Sequence, residues 1–318
     1  MKKFVLTAIA ALILGALQCR AQEPVIKPSE THRFAKRDTC ELFLDIYRPA
    51  NGSVTTFEGK TKPTVLFLFG GGFISGSRST AYCLPFYKAL TENGYQVVAI
   101  DYRLGLKGVK GKVVNSKFID KLDNAIEAAV EDLFSATQWL IENGREHGID
   151  PDSLIVGGSS AGAITSLQAE WEICNNSLRA QVLPEDFNYL GVMSFSGAIF
   201  SKQGAIKYAK EPCPHLMLHG TADKLVPYRQ IWLFKLRFAG TDVITKTFAN
   251  EGYNYNTLRF DGYAHEIAAS MVQNLPEALS FIEENILRES DKIIDATIVN
   301  PEIKKSGMGS HGVKDLYD

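Results

Sequence analysis

A serine between glycines is the residue of this sequence best suited to nucleophilic chemistry. Gly158, Ser160 and Gly162 fit the pattern Gly-x-Ser-x-Gly, and the residues around it predict a strand, a turn and then a helix. At such a turn the serine is exposed and strained, and flanking glycines avoid side-chain clashes. Backbone amides at the helix start face negative charge that develops on a substrate. Ser160 is therefore the candidate nucleophile, and the adjacent Ser159 fits the pattern less well.

A run of glycines follows the predicted strand that ends near Phe69. These are Gly70, Gly71 and Gly72, and alone they would predict only a flexible turn. With a serine turn downstream, however, they mark the place where an oxyanion hole needs close approach of the backbone. We expect an amide of Gly71 or Gly72 and the amide of Ala161 to receive the oxyanion.

An acid and a histidine lie at the ends of two later predicted strands. Asp223 follows the strand that begins at His215, although it could instead cap a helix that starts near Pro227. His265 follows the last predicted strand and, of the six histidines, alone satisfies both chain order and a strand-end position. His219 precedes Asp223 and has the wrong order. These residues predict a base, His265, held by an acid, Asp223.

Alternating elements must position these side chains. Short apolar runs alternate with helical periods, which predicts an α/β fold with a mostly parallel central sheet and helices on both faces. Continuous apolar runs predict buried strands at Thr64–Phe69 and Gln96–Ile100, and Thr39–Tyr47 reads as an exposed edge strand. Further strands are expected at 153–156, 189–194, 215–218 and 255–260, with helices at 82–93, at about 126–141 and from about residues 161, 227 and 266.

The alternation continues without a Pro/Gly/Ser-rich linker, which favours one domain. We expect this domain at residues 39–288, after an N-terminal extension at 22–38 and before a polar C-terminal tail at 289–318. Part of the tail is expected to be mobile. The short connection between the strands near Ser194 and His215 leaves no room for a large lid.

The order Ser160, Asp223, His265, each at a strand's carboxyl end, is the order of α/β-hydrolases. The chain resembles the esterase/lipase branch of that superfamily over about residues 39–288. The branch's oxyanion loop corresponds to Gly70–Gly72, and its serine turn to Gly158–Gly162. The resemblance implies the α/β-hydrolase fold and a catalytic triad.

Two further features bear on this resemblance. The segment that contains Asp101 and Arg103 resembles the branch's segment after the next strand, and both residues are expected to fix the oxyanion loop rather than to react. Many members carry histidine before the glycines, where this chain has Phe69. Backbone groups form the oxyanion hole, so Phe69 permits catalysis but is expected to change how the loop is held.

The resemblance implies a serine carboxylesterase that hydrolyses carboxylic esters through an acyl-enzyme. Together with the absence of room for a large lid and the export predicted below, it suggests acetyl or feruloyl esters of plant cell-wall polysaccharides as substrates. One alternative is a serine peptidase of the prolyl-oligopeptidase type. Such enzymes usually carry a large N-terminal propeller, for which residues 22–38 are too few. The other is a non-catalytic binding protein on the same fold.

Composition and charge exclude other classes. Hydrophobic residues make up 45% of the 318 residues, too many for a disordered chain. The 34 Lys+Arg nearly balance 36 Asp+Glu, whereas dedicated nucleic-acid binders usually carry a strong basic excess. No nucleic-acid partner is therefore expected, and the resemblance implies a small-molecule or polysaccharide-linked ester as the partner.

The N-terminus predicts export. Two lysines precede an apolar run over residues 4–17, and small residues at 19 and 21 suit a signal peptidase, so residues 1–21 read as a signal peptide. We expect a periplasmic or secreted protein without stable membrane insertion after cleavage. A retained anchor is one alternative. Lipidation at Cys19 is another, but Gln18 occupies a position where a lipoprotein signal normally has a small residue.

Four cysteines remain after this cleavage. An even number in an exported protein permits two disulfides in three connectivities, and free buried thiols are equally compatible with the sequence. The four are Cys40, Cys83, Cys174 and Cys213. No Cys-x-x-Cys pair or Cys/His cluster occurs along the chain, so neither a metal nor a cofactor is expected.

Overall fold

The computed structural model describes residues 26–49, 52, 54–109, 116–202, 204–233 and 236–312, and the predicted signal peptide lies outside these ranges. The described strands are β1 Glu30–Lys36, β2 Glu41–Tyr47, β3 Thr56–Phe57, β4 Lys60–Thr61, β5 Thr64–Leu68, β6 Gln96–Ile100, β7 Leu154–Ser159, β8 Gly191–Phe195, β9 Ala198–Ser201, β10 His215–Gly220, β11 Gln230–Leu233, β12 Leu236–Gly240, β13 Tyr255–Phe260 and β14 Ile294–Ile298.

The described helices are α1 Leu84–Glu92, α2 Ser116–Asn143, α3 Ala161–Cys174, α4 Thr241–Glu251 and α5 Leu275–Phe281. Short 3₁₀ turns cover Gly144–His147, Ala180–Val182 and His265–Ala269, and a π-helical turn covers Ile282–Leu287. None of the helices in the described ranges is long and apolar enough to cross a membrane.

A nine-stranded sheet is the centre of the described fold, in the order β1-β2-β6-β5-β7-β8-β10-β13-β14. Its strands from β6 to β14 run parallel, whereas β2 is antiparallel to β6 and β1 to β2. Strands β5, β6 and β8 are buried along their whole length, as expected for strands covered on both faces. The α/β fold and the predicted buried strands are therefore confirmed.

Helix α3 lies in the interior of the protein. It packs on β5, β7 and β8 and also against α2 and β9, and most of its residues are buried. Helix α2 is instead amphipathic, with apolar residues such as Ile126, Val130 and Leu133 buried at helical spacing. These two helices fix the position of the turn between β7 and α3.

The sheet extends beyond the predicted domain at both ends. Strand β1 lies within the predicted N-terminal extension and pairs with β2, so β2 is an inner strand and not the exposed edge that its sequence suggested. Strand β14 lies within the predicted polar tail and pairs in parallel with β13. Both added strands are half-exposed, so little apolar sequence marks them.

A second, three-stranded sheet has the order β11-β12-β9. It replaces the helix expected from about residue 227, because β11 and β12 form an antiparallel pair and helix α4 begins only at Thr241. The helix expected from residue 266 is also wrong, since His265–Ala269 forms a 3₁₀ turn and α5 starts at Leu275.

The strand order reverses at β5, which lies between β6 and β7. In parallel sheets, ligands bind outside the carboxyl ends of the strands at such a reversal, where neighbouring loops diverge. The loop after β5 carries the glycine run, and the turn after β7 carries Ser160. The topology thus brings the two central parts of the predicted site together.

The described cysteines are all free. Cys83, Cys174 and Cys213 are buried and Cys40 is half-buried. Burial raises the pKa of the Cys83 thiol to about 12, so this thiol is protonated near neutral pH. The three buried thiols lie in the protein core as small side chains.

Candidate active site

Ser160 occupies the sharp turn between β7 and α3. Its backbone angles are φ 52° and ψ −116°, a strained region that non-glycine residues rarely adopt. A Cβ on Gly158 would lie 2.3 Å from the carbonyl carbon of Gly162, and a Cβ on Gly162 would lie 2.2 Å from Leu68 O. The two glycines are therefore required by the close passage of backbone around the serine.

A hydrogen-bonded relay joins the three predicted catalytic residues. His265 Nε2 lies 2.8 Å from Ser160 Oγ, and His265 Nδ1 lies 2.7 Å from Asp223 Oδ2. Because an ionised carboxylate only accepts, Nδ1 carries the hydrogen and Nε2 is free to accept the serine proton. All three residues are buried. The geometry is that of a nucleophile, a general base and an orienting acid.

The carboxylate of Asp223 is surrounded by donors. Its Oδ1 accepts the backbone amides of Leu225 and Val226 at 2.9 and 3.0 Å. Burial alone would raise the pKa of Asp223, but hydrogen bonds from His219 and His265 outweigh it and lower the pKa to about 2. The acid therefore stays ionised throughout the neutral range and can orient His265.

His219, whose position before Asp223 spoke against a role as the base, is a direct neighbour of that acid. Its Nε2 donates to Val226 O at 2.9 Å and lies 3.3 Å from Asp223 Oδ2, and its Nδ1 accepts from Thr241 Oγ1 at 2.8 Å. Both ring nitrogens of this fully buried histidine thus have partners. The sequence contained a signal for this contact. His219 lies near the carboxyl end of β10, and Asp223 follows four residues later in the loop.

Ser159 is not placed for nucleophilic attack. Its hydroxyl donates to Ala268 O at 2.7 Å, and the residue is only 1% exposed. This bond ties the end of β7 to the turn that contains His265. Between the two adjacent serines, the structure places only Ser160 against the histidine.

The glycine loop lies directly beside Ser160. A Cβ on Gly70 would come within 3.0 Å of Ser160 Cβ, and the amide of Gly70 donates to Tyr82 Oη at 2.7 Å. Gly71 adopts φ 138° and its carbonyl accepts from Ile74 and Ser75. A Cβ on Gly71 would lie 1.9 Å from Ser75 O, so the tight turn requires glycine.

The amides of Gly71 and Gly72 have no hydrogen-bond acceptor among the described residues. Ala161 is the first residue of α3, and an amide in the first turn of a helix has no carbonyl partner within that helix. The three predicted oxyanion donors are thus available to a substrate. Gly70 is not, because its amide is used by Tyr82.

Phe69 holds this loop through its aromatic ring. The ring stacks on Tyr102 with centroids 4.4 Å apart and planes 18° apart, while Tyr102 Oη donates to Phe69 O at 2.8 Å. Gly76 passes so close that a Cβ there would lie 2.6 Å from the Phe69 ring. Many members of the resembled branch have a histidine before the glycines. This chain has Phe69 at that position, and packing of its ring holds the glycine loop.

Asp101 and Arg103 have separate structural roles. Asp101 accepts from the backbone amide and guanidinium of Arg78, which also contacts Asp45, so it fixes the segment after the glycine loop as expected. Arg103 instead pairs with the buried Asp132 of α2 at 2.8 Å. The expectation that both residues hold the loop is therefore correct for Asp101 only.

The tail beyond β14 packs on the site, and we call residues 303–312 the C-terminal strap. The amide of His265 donates to Met308 O at 2.8 Å, and the amide of Lys224 donates to Gly309 O at 3.0 Å. A Cβ on Gly309 would lie 2.7 Å from His265 Cβ and 2.9 Å from Leu225 Cβ. The strap thus joins the acid loop to the histidine turn.

Family comparison matches the first half of this site. A family model described as BD-FAE matches residues 44–198, a range that includes the glycine loop and Ser160 but neither Asp223 nor His265. The fumonisin B1 esterase of Sphingopyxis macrogoltabida is 34% identical over 127 residues, which are 38% of this chain and 21% of that enzyme.

The esterase LipI of Mycobacterium tuberculosis is 33% identical over 100 residues, which are 31% of this chain and 26% of that enzyme. The chain therefore matches about a quarter of the length of these curated relatives. Among solved structures, the apo form of esterase 2 from Thermogutta terrifontis superposes with a TM-score of 0.56 at 21% identity. The superposition covers 82% of this chain and 97% of that one.

Proposed function

The chain belongs to the esterase/lipase branch of the α/β-hydrolase superfamily, and on that premise we propose that it is a serine carboxylesterase. The reaction is hydrolysis of a carboxylic ester through an acyl-enzyme. The observation that carries the proposal is the unbroken relay from Ser160 Oγ through His265 to Asp223, with distances of 2.8 and 2.7 Å.

Acylation begins with attack of Ser160 Oγ on the ester carbonyl carbon. The serine proton moves to His265 Nε2 as the bond forms, and the carbonyl oxygen takes the negative charge. Asp223, ionised and held by two backbone amides, stabilises the resulting imidazolium. Collapse of the intermediate transfers the proton from Nε2 to the departing alcohol and leaves the acid part esterified to Ser160.

The amides of Ala161 and of Gly71 or Gly72 receive the oxyanion. The Ala161 amide lies at the start of α3, and the Gly71 and Gly72 amides follow Gly70, where a Cβ would lie 3.0 Å from Ser160 Cβ. These donors need no reorganisation because they belong to tightly packed backbone. Removal of one such donor typically costs about 3 kcal/mol of transition-state stabilisation. Deacylation repeats these steps with water as the nucleophile. The proton of the attacking water passes to His265 Nε2 and then to Ser160 Oγ as the acid is released.

The proposal is tested by the rates of two serine variants on a short-chain aryl ester. Ser160→Ala removes the nucleophile, and we expect kcat to fall by about 10⁴-fold or more. Ser159→Ala is the matched control, since it removes the adjacent hydroxyl, which contacts Tyr82 Oη and Ala268 O and not His265. A Ser160→Ala protein that cleaves the ester at the parental rate would overturn the assignment.

We propose acetyl or feruloyl esters of plant cell-wall polysaccharides as the substrate class. A site without a large lid suits esters attached to polymers, and among the described residues between β8 and β10 only the short β9 interrupts the connection. Initial rates on acetylated xylan, methyl ferulate and a short p-nitrophenyl ester would test this. A strong preference for the p-nitrophenyl ester over both natural classes would count against it.

We also propose that the protein is exported, on the basis of the charged and apolar pattern of residues 1–21. Cell fractionation and mass determination of the mature N-terminus would test this. Recovery of the uncleaved chain in the cytoplasm would contradict it, whereas an acylated Cys19 would instead favour the lipoprotein alternative.

A further inference from the structure

Two histidines and a glutamate meet at the edge of the sheet, where three strands lie between β1 and the strand that leads to Ser160. Glu30 and His32 are alternate residues of β1 and so face the same side of the strand. His147 ends the 3₁₀ turn that follows α2. Glu30 Oε2 lies 2.9 Å from His32 Nε2 and 2.7 Å from His147 Nδ1.

This arrangement has the donor set and the spacing of a transition-metal site. The three ligand atoms all lie within 4.8 Å of one another. In a tetrahedral zinc site, bonds of about 2.0–2.2 Å place ligand atoms about 3.3 Å apart, so side-chain shifts of about half an ångström would open the cluster around an ion. The side chains are 21–29% exposed, which leaves room for water as a fourth ligand.

The surroundings hold each ligand in place. Arg48 binds the other oxygen of Glu30, Oε1, and so leaves Oε2 turned towards the histidines. Trp139 stacks on His147 with centroids 5.4 Å apart and lies 5.1 Å from the ring of His32. Such partners of the ligands orient metal sites and raise their affinity.

We propose that Glu30, His32 and His147 form a binding site for one divalent transition-metal ion, with Zn²⁺ as the first choice. Imidazole nitrogens with one carboxylate suit zinc, nickel or copper better than calcium or magnesium. On binding, the ion takes the place of the two hydrogens directed at Oε2, so His32 carries its hydrogen on Nδ1 and His147 on Nε2.

The proposed role of this ion is structural. Strand β1 is separated from β7, which leads to Ser160, by β2, β6 and β5, and β1 is held at the sheet edge by one neighbour. The ion would link β1 to the turn after α2, which lies more than a hundred residues after β1 in the sequence. Linear spacing could not have indicated this site, which explains why the sequence predicted no metal.

The first test is calorimetric titration of Zn²⁺ into the chelator-treated full chain, produced without a histidine tag. We expect one saturable site in the parent protein. The variants Glu30→Gln, His32→Asn and His147→Asn should each weaken binding by at least about tenfold. His311→Asn is the control, since it removes an exposed histidine outside the cluster and should bind as the parent does.

Absence of saturable binding by the folded parent, or unchanged affinity in His147→Asn, would overturn the proposal. A second measurement, of tryptophan fluorescence, uses the parent ligands and so does not require the ligand variants to fold. Ni²⁺ at the site should quench the fluorescence of Trp139, and Trp139→Phe should lose this quenching but retain Zn²⁺ binding. Equal quenching in Trp139→Phe would place the ion near another tryptophan and contradict the assignment.

Discussion

Strand β10 has a buried histidine beside a carboxylate at each end, and the two pairs are built differently. At the carboxyl end, His219 and Asp223 have partners at every hydrogen-bonding atom of the ring and the carboxylate. At the amino end, His215 Nε2 lies 3.5 Å from Glu170 Oε2, and neither atom has a hydrogen-bond partner among the described residues.

The two pairs differ in which ring nitrogen of the histidine carries the hydrogen. His215 Nδ1 donates to Cys213 O at 2.7 Å, and burial lowers the pKa of His215. The neutral ring therefore presents Nε2 as an acceptor to a carboxylate oxygen, which is also an acceptor. At the carboxyl end, donors converge on Asp223 and keep it ionised. Only that end is prepared to stabilise a charged imidazole.

The largest effect is expected when the histidine–carboxylate arrangement at the carboxyl end of β10 is disrupted. Asp223→Asn removes the negative charge that orients His265, and kcat should fall by about 10³–10⁴-fold. The matched variant at the other end is Glu170→Gln, whose amide can donate to His215 Nε2; its kcat should remain near the parental value and its stability should not decrease. Ester hydrolysis rates and urea unfolding would measure both, and equal loss of kcat in the two variants would contradict the comparison.

The next effect concerns the strap, which supports only the carboxyl end. In Gly309→Val the new side chain collides with His265 Cβ and Leu225 Cβ, and displacement of the histidine by about 1 Å should lower kcat by up to about 10²-fold. Gly307→Val is the matched control, because its backbone strain is similar, with φ 68° against 81°, but its Cβ would meet only Ser310 Oγ, at 3.8 Å. Equal kcat values for the two variants would show that the strap does not position the base.

A smaller effect is expected to distinguish the roles of His219 and His215. His219→Gln weakens the second contact on Asp223 Oδ2, so kcat should fall by about tenfold while KM changes little. His215→Gln should leave kcat unchanged and lower the free energy of unfolding, because His215 packs on Phe248 with ring centroids 4.6 Å apart. If His219→Gln alters stability alone, then His219 is a structural neighbour and not a positioning residue.

The smallest effect concerns acid stability. The pKa of Asp223 is about 2 in the folded protein, below its value in the unfolded chain, so its contribution is complete above about pH 4 and is lost as the pH falls towards 2. This contribution is about 2 kcal/mol. Urea unfolding between pH 5 and pH 2 should show a weaker loss in Asp223→Asn than in the parent. Asp186→Asn, at an exposed position, should lose stability as the parent does, and an unchanged slope in Asp223→Asn would contradict the assignment.

The relay was predictable from the sequence because each of its residues follows a strong local signal. Ser160 lies in a glycine pattern after a buried strand, and Asp223 and His265 follow apolar runs that end at the same sheet edge. The supporting residues were not predictable in this way. The strap lies in a polar segment whose contacts with Lys224 and His265 arise only on folding.

The errors in the fold have a similar cause. Strand β14 does show alternation, with Ile294, Ala296 and Ile298 facing one side, but its few apolar residues were read as tail. In β11, Ile231 and Trp232 are exposed, so apolar content there reflects the surface and not a helical core face. Neither local pattern identifies the pairing partner, which is β13 for β14 and the adjacent β12 for β11.

Labelling by a fluorophosphonate probe tests the central claim most directly, because the probe reacts with a serine only when a base and an oxyanion hole activate it. We expect one adduct per chain, located on Ser160 by peptide mass spectrometry, that forms in the folded protein and is absent when the protein is unfolded by heat before the probe is added. No adduct in the folded protein, or an adduct on Ser159, would contradict it.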